Sequence, residues 1–195
     1  MEEDKVTSNG KVVIIGGSAG SLDVLLKIIP KLKAIPAFAL VIVLHRKSGE
    51  DATLEELIAV KTAIPVKEVE DKVMLEPGYI YIAPADYHLL FEKNGELSLD
   101  TSEKVHYSRP SIDVSFESVA DAYGPGVTAI LLSGANADGT HGLQAVKLTG
   151  GIIVVQKPES AEVPYMPANA IENVEPDHIL DAEGLLALLN SMAPA

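Results

Sequence analysis

The sequence predicts an α/β protein: a doubly wound, mostly parallel sheet with helices on both faces and an antiparallel hairpin at one edge. Three observations carry this. Short, almost wholly apolar runs rich in Val, Ile and Leu recur at residues 11–15, 38–44, 127–132 and 152–155, as strands covered on both faces require. Amphipathic helical stretches alternate with them, the pattern of right-handed crossovers between parallel strands. Between residues 79 and 99 the pattern switches to strand, turn, strand around Asn94-Gly95, a hairpin signal.

In chain order, residues 1–10 are polar and read as a flexible leader. Strand 11–15 leads into a helix whose apolar face is Leu22, Leu25, Leu26, Ile29 and Leu32, ended near Lys33 and Pro36. Strand 38–44 ends at His45. A helix over 54–61 has Thr53 or Asp51 as candidate cap. Strands at 65–69 and 79–83 precede the hairpin 88–92 and 96–99, where Asn94-Gly95 predicts a type I′ turn. After a polar stretch to Ser111, which caps a helix over 112–122, come strand 127–132, a glycine-bearing loop 133–139 and a helix over 142–148. Strand 152–155, a Pro-containing loop 158–167 and helices near 168–171 and 182–189 finish the chain. Nothing reads as a linker, repeat or low-complexity segment, so residues 11–195 are expected to be a single domain.

The 195 residues are enough for a sizeable core, and 47% hydrophobic with 22% charged residues is a globular composition. Lys and Arg number 15 against 28 Asp and Glu, a net charge of −13, which argues against nucleic acid or an anionic membrane surface as main partner. There is no cysteine, so disulfides, thiolate catalysis and Cys-bound zinc are excluded. No apolar run approaches the ~20 residues of a membrane span, and the acidic start is no secretory signal. A cytoplasmic protein is expected.

The chemistry starts at Gly16-Gly17-Ser18-Ala19-Gly20-Ser21. Gly16 to Gly20 fits G-x-S-x-G, a strand-to-helix turn that holds a serine hydroxyl above a sheet, with helix-start N–H groups from the Ser18–Gly20 turn nearby for an oxyanion. Such a turn also serves packing or phosphate binding, but the stretch misses G-x-G-x-x-G, and His45-Arg46 stands where a ribose-binding acid would be expected. In doubly wound sheets, sites form beyond the carboxyl ends of strands. Ser18, His45 and Asp138 each sit just past such an end: a nucleophile, a base to take its proton, and an acid to orient the base. Asp86, His88, Asp113, His141 and Asp177 are rivals. His88 alternates within the hairpin and reads as structural; His141 falls in a helix's first turn near Asp138; Asp113 suits a helix N-terminus. The histidines are scattered without a metal-ligand motif, and no metal or cofactor is expected.

Ile15-Gly16-Gly17-Ser18-Ala19-Gly20, Val43-Leu44-His45, Pro77-Gly78-Tyr79-Ile80-Tyr81-Ile82-Ala83-Pro84, Ser108-Arg109-Pro110-Ser111-Ile112-Asp113-Val114, Leu132-Ser133-Gly134 with Asp138-Gly139, and Met166-Pro167 together resemble the catalytic domain of the CheB-type chemotaxis protein-glutamate methylesterases. The resemblance runs from about residue 12 to 189. It implies a sheet of about seven parallel strands with an antiparallel edge hairpin. It also implies hydrolysis of γ-glutamyl methyl esters, and deamidation of certain glutamines, on the cytoplasmic helices of chemoreceptors. Ser18 then matches the nucleophile, His45 the base and Asp138 the orienting acid. Ala19 and Gly20 become candidate oxyanion donors, with Ala135, Asn136 and Met166 lining the pocket. Arg46, Lys47 and Arg109, with Lys104 and His106, would offer positive charge to an acidic receptor segment.

The sequence departs from the family pattern in places. Ala135 and Asn136 stand where methionine and glycine are usual, Ser21 replaces a glycine, and Arg46-Lys47 follow His45 in place of a proline. The usual N-terminal receiver domain is not part of the sequence, so control would come from a separate receiver or kinase partner. Two alternatives stand beside the esterase: a silent α/β domain that binds a receptor or signalling partner, and a hydrolase of a different ester.

Overall fold

The structure, a computed structural model, describes residues 10–47 and 54–193. Its strands are β1 (Lys11–Gly17), β2 (Phe38–Leu44), β3 (Val66–Glu68), β4 (Val73–Met74), β5 (Ile80–Ile82), β6 (His88–Phe91), β7 (Glu96–Asp100), β8 (Val127–Leu131), β9 (Ile152–Gln156) and β10 (His178–Leu180). Its helices are α1 (Ser21–Ile28), α2 (Leu54–Ala59), α3 (Ile112–Tyr123), α4 (Thr140–Leu148), α5 (Tyr165–Asn173) and α6 (Ala182–Met192). The candidate α2 caps Asp51 and Thr53 lie outside the described residues.

Seven strands form a sheet in the order β10-β9-β8-β1-β2-β5-β3, parallel at every pairing. Alternate residues of a strand face opposite sides, and β1 shows the consequence. Val13 and Ile15 pack with Leu25 and Ile28 of α1, Ile58 of α2 and Leu185 and Leu189 of α6. Val12 and Ile14 belong to the opposite core, with Phe116 and Val119 of α3, Leu143 and Val146 of α4 and Ala170 of α5. Every residue of β2 is buried, which is why its sequence shows no polar alternation. β10 escaped the sequence reading because it is three residues long, and His178 and Ile179 are exposed; no apolar run marks it.

The hairpin is present and antiparallel, and with β4 it makes a three-stranded sheet of its own, in the order β4-β7-β6. Its turn differs from the expected type I′. Phe91 pairs with Leu97 and Leu89 with Leu99, leaving Lys93, Asn94 and Gly95 as a three-residue loop in which Gly95 N–H donates to Glu92 O. Of Asn94 and Gly95 only Gly95 has positive φ, at 90°. The cause is burial. Leu89, Phe91 and Leu97 must share the core face, and a two-residue Asn-Gly loop would shift the register by one and turn Leu97 away from Phe91.

The chain passes outward from β1 through β2 and β5 on one side, and through β8 and β9 on the other. The carboxyl ends of β1, β2 and β8 therefore meet where the winding reverses, the place where α/β sheets leave a crevice.

Candidate active site

The turn after β1 is built by close approach. A side chain on Gly16 would strike Ile112 Cγ2, and one on Gly17 would strike Ser21 Oγ. Only Gly20 needs the left-handed region, at φ 83° as the residue before α1. Ser18 N–H donates to Ser133 O at 2.8 Å and to Ser21 Oγ at 3.2 Å, and Ser21 Oγ donates to Ser133 O at 2.7 Å. Ser21 thus ties the turn to the β8–α4 loop. Because the Ser18 N–H is engaged, it cannot serve as an oxyanion donor. Ala19 and Gly20 are the remaining N–H groups of the turn.

His45 N–H donates to Gly17 O at 3.1 Å, which seats the end of β2 beside the turn. The His45 ring bonds Asp138 through Nε2, at 2.7 Å from Oδ2. With Nε2–H pointing at the carboxylate, Nδ1 carries the lone pair. This is the reverse of the usual serine triad, where Nδ1–H faces the acid. No Ser18–His45 hydrogen bond is formed among the described residues; both side chains line one cleft.

Asp138 is fully buried. It does not cap α4, whose preceding residue is Gly139. Its carboxylate instead accepts from the start of α3: Ile112 N–H at 2.7 Å, Asp113 N–H at 2.9 Å and Ser111 Oγ–H at 3.0 Å, with Gly139 N–H at 3.1 Å. A carboxylate at a helix N-terminus is favoured by the dipole and the free N–H groups. Burial alone would raise its pKa. The His45 bond and the Asp113 and Ile112 N–H groups outweigh that and hold it below the ordinary aspartate value, so it is charged at neutral pH.

Sequence reasoning gave Asp113 too small a part. It is buried, and its Oδ1 accepts from Gly139 N–H at 2.9 Å and Gly142 N–H at 2.8 Å, fastening α3 to the start of α4. Its Oδ2 lies 3.2 Å from His106 Nε2. Burial, with the Asp138 charge adding to it, lifts its pKa to about 6 against the pull of those N–H groups and His106. The signal was absent from the local sequence because the donors lie far along the chain. His106, Asp113 and Asp138 are close enough to share a metal ion, yet their carboxylate oxygens already accept hydrogen bonds from protein groups. His88 is structural, as read: Ser111 N–H donates to its Nδ1 at 3.1 Å, so Nε2–H donates to Glu103 O at 2.8 Å. His141 falls in the first turn of α4, as expected, with its side chain exposed. Asp177 accepts from Ile153 N–H at the start of β9.

The cleft above these strand ends has a volume of about 700 Å³ and is lined by Ser18, His45, Arg46, Lys47, Lys104, Arg109 and Asn136, and also by Asp86, Tyr107 and Ser108. Four cations against one acid make it locally basic on a chain of net charge −13. Arg109 is less free than expected, since its Nη1 donates to Thr101 O and Ser102 O and so ties down the polar loop. Arg46 Nη1 is shared with Glu68 and Ala83 O. Asn136 Oδ1 accepts from Asp138 N–H at 3.0 Å, leaving its amide N–H groups for the cleft. Ala135 is exposed beside it. Met166 is buried, and both it and Ser18 Cβ crowd the space beside Gly134.

A parallel doubly wound sheet with a serine turn and a cleft histidine bonded to a buried aspartate at its winding reversal is the frame of an α/β hydrolytic domain. The CheB methylesterase family model matches residues 13–189, and the chain belongs to that family. A Leptospira interrogans relative is 38% identical over 180 residues, covering 92% of this chain and 93% of that protein. A Thermotoga maritima protein named protein-glutamate methylesterase/protein-glutamine glutaminase is 35% identical over 184 residues, which is 91% of this chain and 53% of that protein. The crystal structure of the Thermotoga maritima CheB methylesterase catalytic domain superposes with a TM-score of 0.89 at 34% identity, covering 95% of this chain and 100% of that one.

Proposed function

We propose that this chain hydrolyses γ-glutamyl methyl esters on the cytoplasmic helices of chemoreceptors, and deamidates glutamines there, with Ser18, His45 and Asp138 as its triad. The supporting observation is the 2.7 Å bond between His45 Nε2 and buried, charged Asp138, in the cleft that Ser18 also lines. Ser18 Oγ attacks the γ-carbonyl as its proton passes to His45 Nδ1. Asp138 stabilises the resulting imidazolium without taking its proton. Ala19 and Gly20 N–H groups, with the Asn136 amide, face the developing oxyanion. His45 returns the proton to the leaving methoxide, which departs as methanol; from glutamine the leaving group is ammonia. Water, deprotonated by His45, then attacks the acyl-serine; the adduct expels Ser18 Oγ, which takes the proton back from His45, and glutamate is released. Arg46, Lys47 and Lys104 attract the acidic receptor segment, and control comes from a receiver or kinase partner in the cytoplasm.

The test is methanol release from a methylated receptor fragment, paired with labelling by a serine-directed phosphonate. Wild type should release methanol and be labelled at Ser18, and Ser18→Ala should do neither. Well-folded wild type that stays unlabelled would mean a silent binding domain. Labelling without methanol release would mean another ester.

A further inference from the structure

Before Arg109, the chain forms a second, much smaller hairpin. Val105 and Ser108 exchange both backbone hydrogen bonds, at 3.1 and 2.9 Å. The two residues between them, His106 and Tyr107, have φ of 48° and 62°. A two-residue turn with positive φ at both positions is what Asn-Gly or Gly-Gly supplies cheaply. Here L-residues with bulky rings stand in it, a conformation their Cβ atoms disfavour. Such a conformation persists only where its surroundings over-determine it. His106 is held by Asp113 at 3.2 Å, and Arg109 ties the hairpin's base to Thr101 O and Ser102 O while its own carbonyl accepts from Asp86 N–H.

These contacts explain His106. They do not explain Tyr107, which is 96% exposed and recovers none of its backbone cost by packing. It stands on the wall of the cleft that holds Ser18 and His45. Tyrosine is also a side chain whose large, rigid ring anchors protein interfaces at low entropic cost.

We propose that the His106–Tyr107 turn is a preformed docking tip, and that Tyr107 seats on the substrate helix beside the glutamyl group being hydrolysed. The assignment of the partner rests on the receptor-methylesterase reading. The cations Lys47 and Lys104 on the same cleft complement an acidic helix, and the Tyr107 ring takes its apolar neighbours. Rigidity is the point of the strain, because a turn already locked by His106 and Arg109 loses little freedom on binding.

Binding can be read apart from turnover. The Ser18→Ala chain is titrated with a methylated receptor helix fragment, with and without a second change at position 107. Tyr107→Ala should weaken binding about tenfold or more, as for an interface anchor, and Tyr107→Phe should retain it. Tyr107→Gly should lose binding to the same extent while keeping or raising the thermal midpoint, since glycine relieves the positive φ. A purely structural role predicts the opposite coupling, with binding and midpoint falling together. Unchanged binding by Tyr107→Ala, or no binding by the parent chain, overturns the proposal. Wild type that binds through Tyr107 but releases no methanol would refute the esterase reading and leave the docking tip standing.

Discussion

Two histidine–aspartate couples sit side by side under the cleft, and they behave differently. In His45–Asp138 the ring is 12% exposed, the carboxylate is fully buried, and they meet at 2.7 Å. In His106–Asp113 the ring is 40% exposed, the carboxylate 6%, and the separation is 3.2 Å. Both acids are desolvated, and the Asp138 charge adds to the rise at Asp113. Asp138 gathers the first amides of α3, a serine hydroxyl and a mostly covered imidazole, and stays ionised below the ordinary range. Asp113 has the Gly139 and Gly142 amides and a half-open histidine, and burial wins, lifting it to about 6. Burial alone does not set the charge of a carboxylate; the donors that come with it decide. Of the two, only Asp138 can hold a fixed negative charge behind its histidine across neutral pH.

The largest way to break this contrast is Asp138→Asn. An amide there presents N–H to a site built of donors and favours the wrong imidazole tautomer, so kcat for methanol release should fall by roughly 10⁴-fold. Asp113→Asn should cost far less; equal losses would erase the distinction. The pH dependence of stability sharpens it further. Asp113 titrates near 6 folded against the ordinary aspartate value of 3.8, so its contribution is present below about pH 3.8 and is lost as pH rises through 6. Asp138, with its lowered pKa, contributes above 3.8 and loses that as pH falls. In urea melts, the stability of Asp113→Asn relative to wild type should therefore climb from pH 4 to pH 7. A flat or falling difference would show Asp113 already ionised in the folded state. The smallest effect belongs to His106→Ala. A hydrogen bond from a half-exposed ring is worth about 1 kcal/mol, so the melt should shift by a few degrees at most and kcat should be nearly unchanged.

Much of this was readable in the sequence, and where it was not the reasons are specific. β2 was read at its observed bounds because its seven residues are apolar without interruption and buried without exception. Ser18, His45 and Asp138 were placed together because parallel topology sends strand ends to one edge. Asp113 looked like a helix-start acid because its value depends on Gly139 and Gly142, brought near only when α3 packs on α4. The two turns exchanged their signals. Asn94-Gly95 advertises two positive φ values and uses one, because buried Phe91 and Leu97 dictate register. His106-Tyr107 advertises none and has two, imposed by the His106–Asp113 hydrogen bond and the arginine beside it. Local turn chemistry yields where tertiary contacts are stronger.

The anchoring of Asp138 has a consequence for folding. Two of its donors are main-chain amides of Ile112 and Asp113, which exist as a paired cradle only after α3 has formed and docked. The acid takes its place only with that docking, so the competent site requires α3 seated on the sheet. Exchange of those two amides with solvent deuterium would then report how often the hydrolytic centre, and not merely the helix, comes apart.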